Sequence, residues 1–206
     1  MIYQHEARER RKPAQSGRPL LPRVASDLRE RQDAYLDRRG LDPFTARFNG
    51  WYPSRSAVDS ADRIVIPASP PGLRFWQARA MDPTYAKRYQ SPHGPRENAV
   101  IIVYSLRAMV KRLVVCEGPM DALAAAAVGC TGIALMGNTP PSACFDYIAK
   151  KWPGAETLVV PDSDARDAGA QWLAELTQRE MDARLILIQG NDLAALSPAA
   201  RTEALR

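Results

Sequence analysis

Five carboxylates stand where this sequence can do chemistry. Glu117-Gly118 follows the apolar run RLVVC (112–116), and Asp121 comes four residues after Glu117. Asp162-Ser163-Asp164 follows TLVVP (157–161), and Asp192 follows RLILI (184–188) after Gln189-Gly190-Asn191. Clustered carboxylates repel and raise one another's pKa unless a cation neutralises them. A hard, oxygen-preferring divalent ion, Mg²⁺ or Mn²⁺, is the simplest neutraliser. Asp162 and Asp164 are two apart, so on extended backbone their side chains point the same way. Gly118 puts no side chain beside Glu117, which lets a phosphate or a metal approach the backbone. Taken singly, Asp121 and Asp192 read equally well as acids at helix starts, favourable there without any ligand.

The elements around these acids bring them together. After residue 111 the sequence alternates strictly. Strands at 112–116, 132–135, 157–161 and 184–188 are followed by helices at 119–128, 140–151 and 166–181, then by helical pieces near 192–196 and 198–205. The strands are continuous apolar runs, so both faces are buried, as in a parallel sheet covered by helices. In such a sheet ligands bind at the carboxyl ends of the strands. Three strand ends therefore deliver carboxylate to one edge, and the set argues for metal binding.

Upstream the pattern differs. A helix from Ser26 ends at Gly40, a residue type suited to the left-handed helix end, and a short helix at 43–48 has Pro43 in its first turn. RIVIP (63–67) and LRFWQARA (73–80) read as strands joined through Ser69-Pro70-Pro71-Gly72, and VIIVY (100–104) as another. Between them, 82–99 is rich in Pro, Gly and charge and reads as a long functional loop or an irregular segment. Residues 1–25 form a basic arm broken by Pro13, Pro19 and Pro22, expected to be disordered, as a solubilising tail or a binding arm.

Composition excludes several classes. No apolar run reaches the ~18–20 residues of a membrane span, and the charged N-terminus lacks a signal peptide's apolar core. Cys116, Cys130 and Cys144 lie 14 apart with no CxxC, which reads as reduced thiols of a cytoplasmic protein with no zinc site. His5 and His93 are the only histidines, and neither sits near a nucleophile motif. The net charge of +5 leans toward a polyanionic partner. Trp51, Trp152 and Trp172 read as packing residues. Trp76, Tyr85 and Tyr89 lie among Arg79, Lys87, Arg88 and Arg96, and either stack single-stranded bases or serve the fold, Trp76 packing in the strand core and Tyr85 and Tyr89 anchoring the loop.

LVVCEGPMDALAAAAVGCTGIALMGNTPP resembles the first half of a Toprim domain, TLVVPDSDARDAGAQWLAEL its second half, and RLILIQGNDLAAL its last strand. YLDRRGLDPFTARFNGWYPS, DRIVIPASPPGLRFWQARAMDP and AKRYQSPHGPREN resemble the N-terminal part of the catalytic core of bacterial and phage DnaG-type primases. The resemblance spans about residues 33–196 and implies an α/β fold. In that fold the arm (1–25) is followed by a small mixed α+β subdomain (26–110) and a Toprim domain with a parallel-rich sheet flanked by helices (111–206). It implies that Glu117, Asp162 and Asp164 are catalytic and that Glu117, Asp121, Asp162, Asp164 and Asp192 bind Mg²⁺ or Mn²⁺. Arg79, Lys87, Arg88 and Arg96 would bind nucleotide and DNA. Three departures from the family pattern stand out. Gly169 comes late after the DxD, Leu193 and Ala194 replace a second trailing acid, and RY replaces KY, which keeps charge but changes donor geometry.

The function so implied is DNA primase activity, the metal-dependent synthesis of short RNA primers on single-stranded DNA from NTPs, as in a phage or mobile element. A replicative helicase or a separate zinc-ribbon protein would be the partner. Two alternatives stay open: a Toprim metal-dependent nuclease, and a non-catalytic single-strand-binding or helicase-associated accessory.

Overall fold

The structure is a computed structural model that describes residues 26–56, 59–70, 75–94, 96–107, 112–189 and 192–206. The basic arm at 1–25, the Pro71-Gly72 part of the expected strand connection, and Gly190-Asn191 lie outside the described residues.

The chain opens with helix α1 (Ser26–Arg38) and helix α2 (Pro43–Phe48). α1 ends as its sequence predicts: Gly40 takes φ +64°, and Leu41 N–H closes back on the Leu36 carbonyl at 3.0 Å. The Asp42 carboxylate caps α2, accepting from Phe44 N–H at 3.1 Å and Thr45 N–H at 2.9 Å.

Four antiparallel strands follow in spatial order, β1 (Tyr52–Arg55), β2 (Asp62–Pro67), β3 (Trp76–Ala80) and β4 (Tyr89–Gln90). β2 and β3 are the expected pair, in a register that sets Ile64 opposite Arg79. β1 and β4 are additions to the sequence reading. Pro53 cannot donate to a ladder and is tolerated in β1 because β1 is an edge strand. β4 is two residues long, inside the segment read as irregular.

The second sheet holds β5 (Ile101–Val103), β6 (Arg112–Cys116), β7 (Thr131–Ala134), β8 (Glu156–Val160) and β9 (Ala183–Leu185), in the order β5-β7-β6-β8-β9. β6 to β9 are parallel, and β5 is an antiparallel edge on β7. Helices α3 (Pro119–Ala127), α4 (Ser142–Lys151) and α5 (Arg166–Thr177) connect the parallel strands. A 3-10 turn (Leu193–Ala195) and helix α6 (Pro198–Ala204) complete the described chain.

Both faces of this sheet are covered, as the apolar runs require. Val114 and Cys116 join one core with α1, α2, α3 and Leu205. Leu113 and Val115 join the other with Phe145 and Ile148 of α4 and Trp172 and Leu176 of α5. Gly132 is where α3 lies closest to the sheet: a Cβ there would sit 2.1 Å from the Ala122 carbonyl oxygen. Trp51 and Trp172 are buried, and Trp172 donates its indole N–H to the Asn138 carbonyl at 3.2 Å. Among the described residues no helix is long and apolar enough to cross a membrane.

Candidate active site

β6 ends in a buried Cys116, and the next residues must turn from strand into α3. Gly118 makes that turn, Pro119 fills the first helical position, and Asp121 falls in the first turn. This sets Glu117 and the buried Asp121 in the lining of a cleft of about 340 Å³. Asp162, beyond β8, and Asp192, before the 3-10 turn, line the same cleft. Four of the five expected acids are thus brought together. A Cβ on Gly118 would lie 3.1 Å from Asp121 Oδ2, so the glycine leaves room for that carboxylate.

Asp164 behaves differently. The expected extended backbone at Asp162–Asp164 is instead a turn, closed by Ala165 N–H on the Asp162 carbonyl at 2.9 Å. The chain must reverse here because α5 starts at Arg166. Asp162 faces the cleft, whereas Asp164 is exposed outside its lining, near enough for its charge to act on Asp162 and Glu117.

The electrostatics of the cleft are those of crowded acids. Burial raises the Asp162 carboxyl to about 7, with Asp121, Asp192, Glu117 and Asp164 adding to the effect. Burial likewise raises Asp121 to about 6, aided by Asp192 and opposed by an N–H bond from Ala194 (2.8 Å) and by the Arg39 charge. Glu117 is raised by burial, then by Asp164, Asp121 and Asp192. The Cys116 thiol is pushed well up by burial and then by Asp121, Asp162 and Glu117, so it stays an inert packing group.

Among the described residues no three His, Cys, Asp or Glu side chains close into an ion cage. The donor chemistry nevertheless fits a hard divalent ion: every acid in the cleft offers only carboxylate oxygen, and their mutual repulsion is what such an ion relieves.

The cleft also has a cationic wall, which comes from β3, the residue before β4 and the residue after α1. Arg79 and Arg88 line the cleft as expected, together with Arg39 and Gln77. Arg79 donates from Nε to the Tyr35 hydroxyl at 3.1 Å, and its guanidinium lies 4.8 Å from the centre of the Tyr89 ring. Tyr89 thus holds a cation, a role that neither sequence reading named.

Lys87 and Arg96 fall outside the cleft lining. The Lys87 carbonyl accepts from both terminal nitrogens of Arg63 at 3.2 Å. Arg96 donates to the carbonyls of Met136 at 2.5 Å and Thr139 at 3.3 Å. Tyr85 lines a neighbouring groove with Arg31, Arg38 and Arg55.

Sequence reasoning passed over Arg39, Gln77 and the buried Arg63. Arg39 had a signal, since it precedes the helix-ending Gly40. Arg63 and Gln77 had none, because nothing in their neighbours marks a polar side chain that turns inward from a strand.

No family model and no curated protein matches the chain. Solved structures do. A structure of the zinc-binding and RNA polymerase domains of the Aquifex aeolicus primase is similar with a TM-score of 0.67 at 16% identity, covering 91% of this chain and 55% of that one. The primase fragment of the bacteriophage T7 primase-helicase protein gives 0.61 at 16% identity, over 82% of this chain and 71% of that one. A DnaG primase catalytic domain bound to single-stranded DNA gives 0.60 at 18%, over 90% and 71%. Over most of its length the chain therefore has the fold of the catalytic, RNA polymerase domain of DnaG- and T7-type primases.

Proposed function

We propose that the chain is a primase-type nucleotidyltransferase that makes short RNA primers on single-stranded DNA from NTPs. One observation carries this reading: four carboxylates (Glu117, Asp121, Asp162, Asp192) and three arginines (Arg39, Arg79, Arg88) line a single cleft. A binder of polyanions gains nothing from the first set, and a simple cation site gains nothing from the second.

Glu117, Asp121, Asp162 and Asp192 would hold Mg²⁺ or Mn²⁺, with Asp164 contributing charge from the rim. An ion held there would supply Lewis-acid activation of an attacking 3′-oxygen and charge neutralisation of the departing pyrophosphate. Arg39, Arg79 and Arg88 bind the triphosphate and the template backbone by charge-assisted hydrogen bonds. Tyr35 and Tyr89 hold Arg79 in place for that task. Lys87 and Arg96 belong to the expected nucleic-acid set. Lys87 meets DNA outside the cleft, whereas Arg96 already engages backbone with both terminal nitrogens. A helicase or a zinc-ribbon protein is the proposed partner for template choice.

The test is de novo primer synthesis. Single-stranded DNA, labelled NTPs and Mg²⁺ or Mn²⁺ are supplied to the wild type, Glu117→Gln and Asp162→Asn. Short labelled oligoribonucleotides from the wild type alone are the expected result. Shortening of the template would move the assignment to a nuclease. DNA binding with neither product, even with a helicase or zinc-ribbon partner added, would make it an accessory module.

A further inference from the structure

Arg201, in α6, is 1% exposed, yet its hydrogen bonds go to backbone carbonyls. Nε donates to Leu193 at 3.2 Å, and Nη2 to Ala194 at 2.7 Å and to Arg39 at 3.4 Å. Nη1 donates to Gly40 at 2.7 Å. The Leu193 carbonyl and the Ala194 N–H belong to one peptide group. That N–H is the one that donates to Asp121 Oδ1 at 2.8 Å. A single peptide unit thus lies between a buried cation and a buried carboxylate, its carbonyl toward the first and its amide toward the second. The same guanidinium grips the carbonyls of Arg39 and Gly40, and the Arg39 side chain lines the cationic wall.

We infer that Arg201 is the positioning residue of the cleft: it aims Asp121 through the Leu193–Ala194 peptide and fixes the distance between the carboxylate wall and the Arg39 wall. A buried guanidinium is costly, and an apolar side chain of similar volume would hold α6 in place at least as well. What an apolar side chain lacks is a fork of donors that orders two loops at once. Burial lowers the Arg201 pKa and the Arg39 charge adds to that, while the Asp121 charge across the peptide opposes both. Gly40 takes φ +64°, the left-handed conformation that turns its carbonyl toward Arg201.

This inference rests on the cleft being a divalent-cation site, and the test separates the two claims. Mn²⁺ binding to the full chain is measured by electron paramagnetic resonance, without nucleotide, at temperatures where circular dichroism shows each variant folded. The set is wild type, Arg201→Gln, Arg201→Lys, Asp121→Asn, the Arg201→Gln/Asp121→Asn double variant, and Arg179→Gln as a control. Arg179 bonds Asp146, Glu175 and Ser142 away from the cleft. Arg201→Gln should weaken Mn²⁺ binding about 10–100-fold, the range for residues that orient metal ligands. Arg201→Lys should fall between, Arg179→Gln should bind as wild type, and the double variant should bind no more weakly than Asp121→Asn alone. A folded Arg201→Gln that binds normally, or losses that multiply in the double variant, would overturn the inference. Wild type that binds no Mn²⁺ would remove the cation site itself, and the inference with it.

A second measurement needs no change at residue 201. In ¹⁵N-resolved spectra of the wild type, Mg²⁺ should shift the Ala194 amide and the Arg201 Nε–H together, with one apparent affinity. An Arg201 signal that stays fixed while Ala194 moves would refute the coupling.

Discussion

The guanidinium of Arg96 donates to the backbone carbonyl of Met136 at 2.5 Å. Met136 sits just beyond β7 with φ +58° and lines the carboxylate cleft. Arg96 thus ties the segment before β5 to the loop after β7, with a second bond to the Thr139 carbonyl. Its charge is at hand for nucleic acid, but both of its terminal nitrogens are already engaged with backbone. Arg88, which lines the cleft, is not occupied in this way among the described residues. Arg96→Ala should therefore lower folding stability by about 1–3 kcal/mol, as expected when hydrogen bonds from a charged group are lost. Arg88→Ala should instead weaken single-stranded DNA binding and flatten its salt dependence with little change in the unfolding midpoint. Urea unfolding beside salt-dependent DNA binding checks both. The reverse pattern would return Arg96 to the nucleic-acid interface.

Gly132 gives a sharper stability test. Its missing Cβ is what lets the Ala122 backbone of α3 lie against β7, and both partners are rigid. Gly132→Ala should cost about 1–3 kcal/mol or more through overpacking. Since α3 carries Asp121, the shift should also weaken divalent-ion binding in whatever fraction stays folded. A neutral result in denaturant titration would contradict the close contact.

The parts of this fold visible in the sequence are those governed by periodicity. β6, β8 and the helices between them show up because a doubly covered strand has no choice but to be continuously apolar, and Leu113 to Cys116 divide between two cores as that demands. β1 is hidden because Pro53 argues against a strand unless it is known to be an edge. β4 is hidden because a two-residue pairing leaves no pattern. Four acids reach the cleft as expected because strand ends determine their position. Asp164 does not line it because the turn into α5 rotates it away, and a spacing of two says nothing about turns. The arginines were the least legible. Arg63 and Arg201 are buried and bond carbonyls, and in a sequence they look like any surface charge.

The crowded acids make stability depend on pH in an unusual direction. Asp162 at about 7 and Asp121 at about 6 lie above the ordinary aspartate value of 3.8. Between about pH 4 and pH 7 the folded state therefore keeps protons that the unfolded chain releases, and metal-free stability should fall as pH rises through this window. Divalent ions compete with those protons. Mg²⁺ should thus raise the melting temperature more at about pH 8 than at about pH 5. Thermal unfolding with chelator and with Mg²⁺ at the two pH values checks this. An equal Mg²⁺ effect at both would mean that the ion does not sit among these carboxylates.

Arg63 and Asp59 set the last expectation. Arg63 Nη2 donates to Asp59 Oδ2 at 2.6 Å, while its Nη1 and Nη2 reach the Lys87 carbonyl and Nη1 also reaches those of Ala78 and Arg88. The hydrogen bond from Arg63, then one from Ser56, hold the Asp59 carboxyl down at about 2. Its contribution is thus present above the ordinary aspartate value and is lost as pH falls from about 4 toward 2. Gln90 also donates to Asp59, at 3.0 Å, so the carboxylate holds the segment that carries Lys87 and Arg88 directly at Gln90 and through Arg63 at Lys87 and Arg88. Asp59→Asn should loosen that segment and leave the carboxylate wall alone. Hydrogen exchange should rise over residues 84–90 and single-stranded DNA binding should weaken, while Mn²⁺ affinity stays at the wild-type level. If Mn²⁺ affinity fell in step with DNA binding, the two walls of the cleft would not be separable, and the basic segment would have to be counted as part of the cation site.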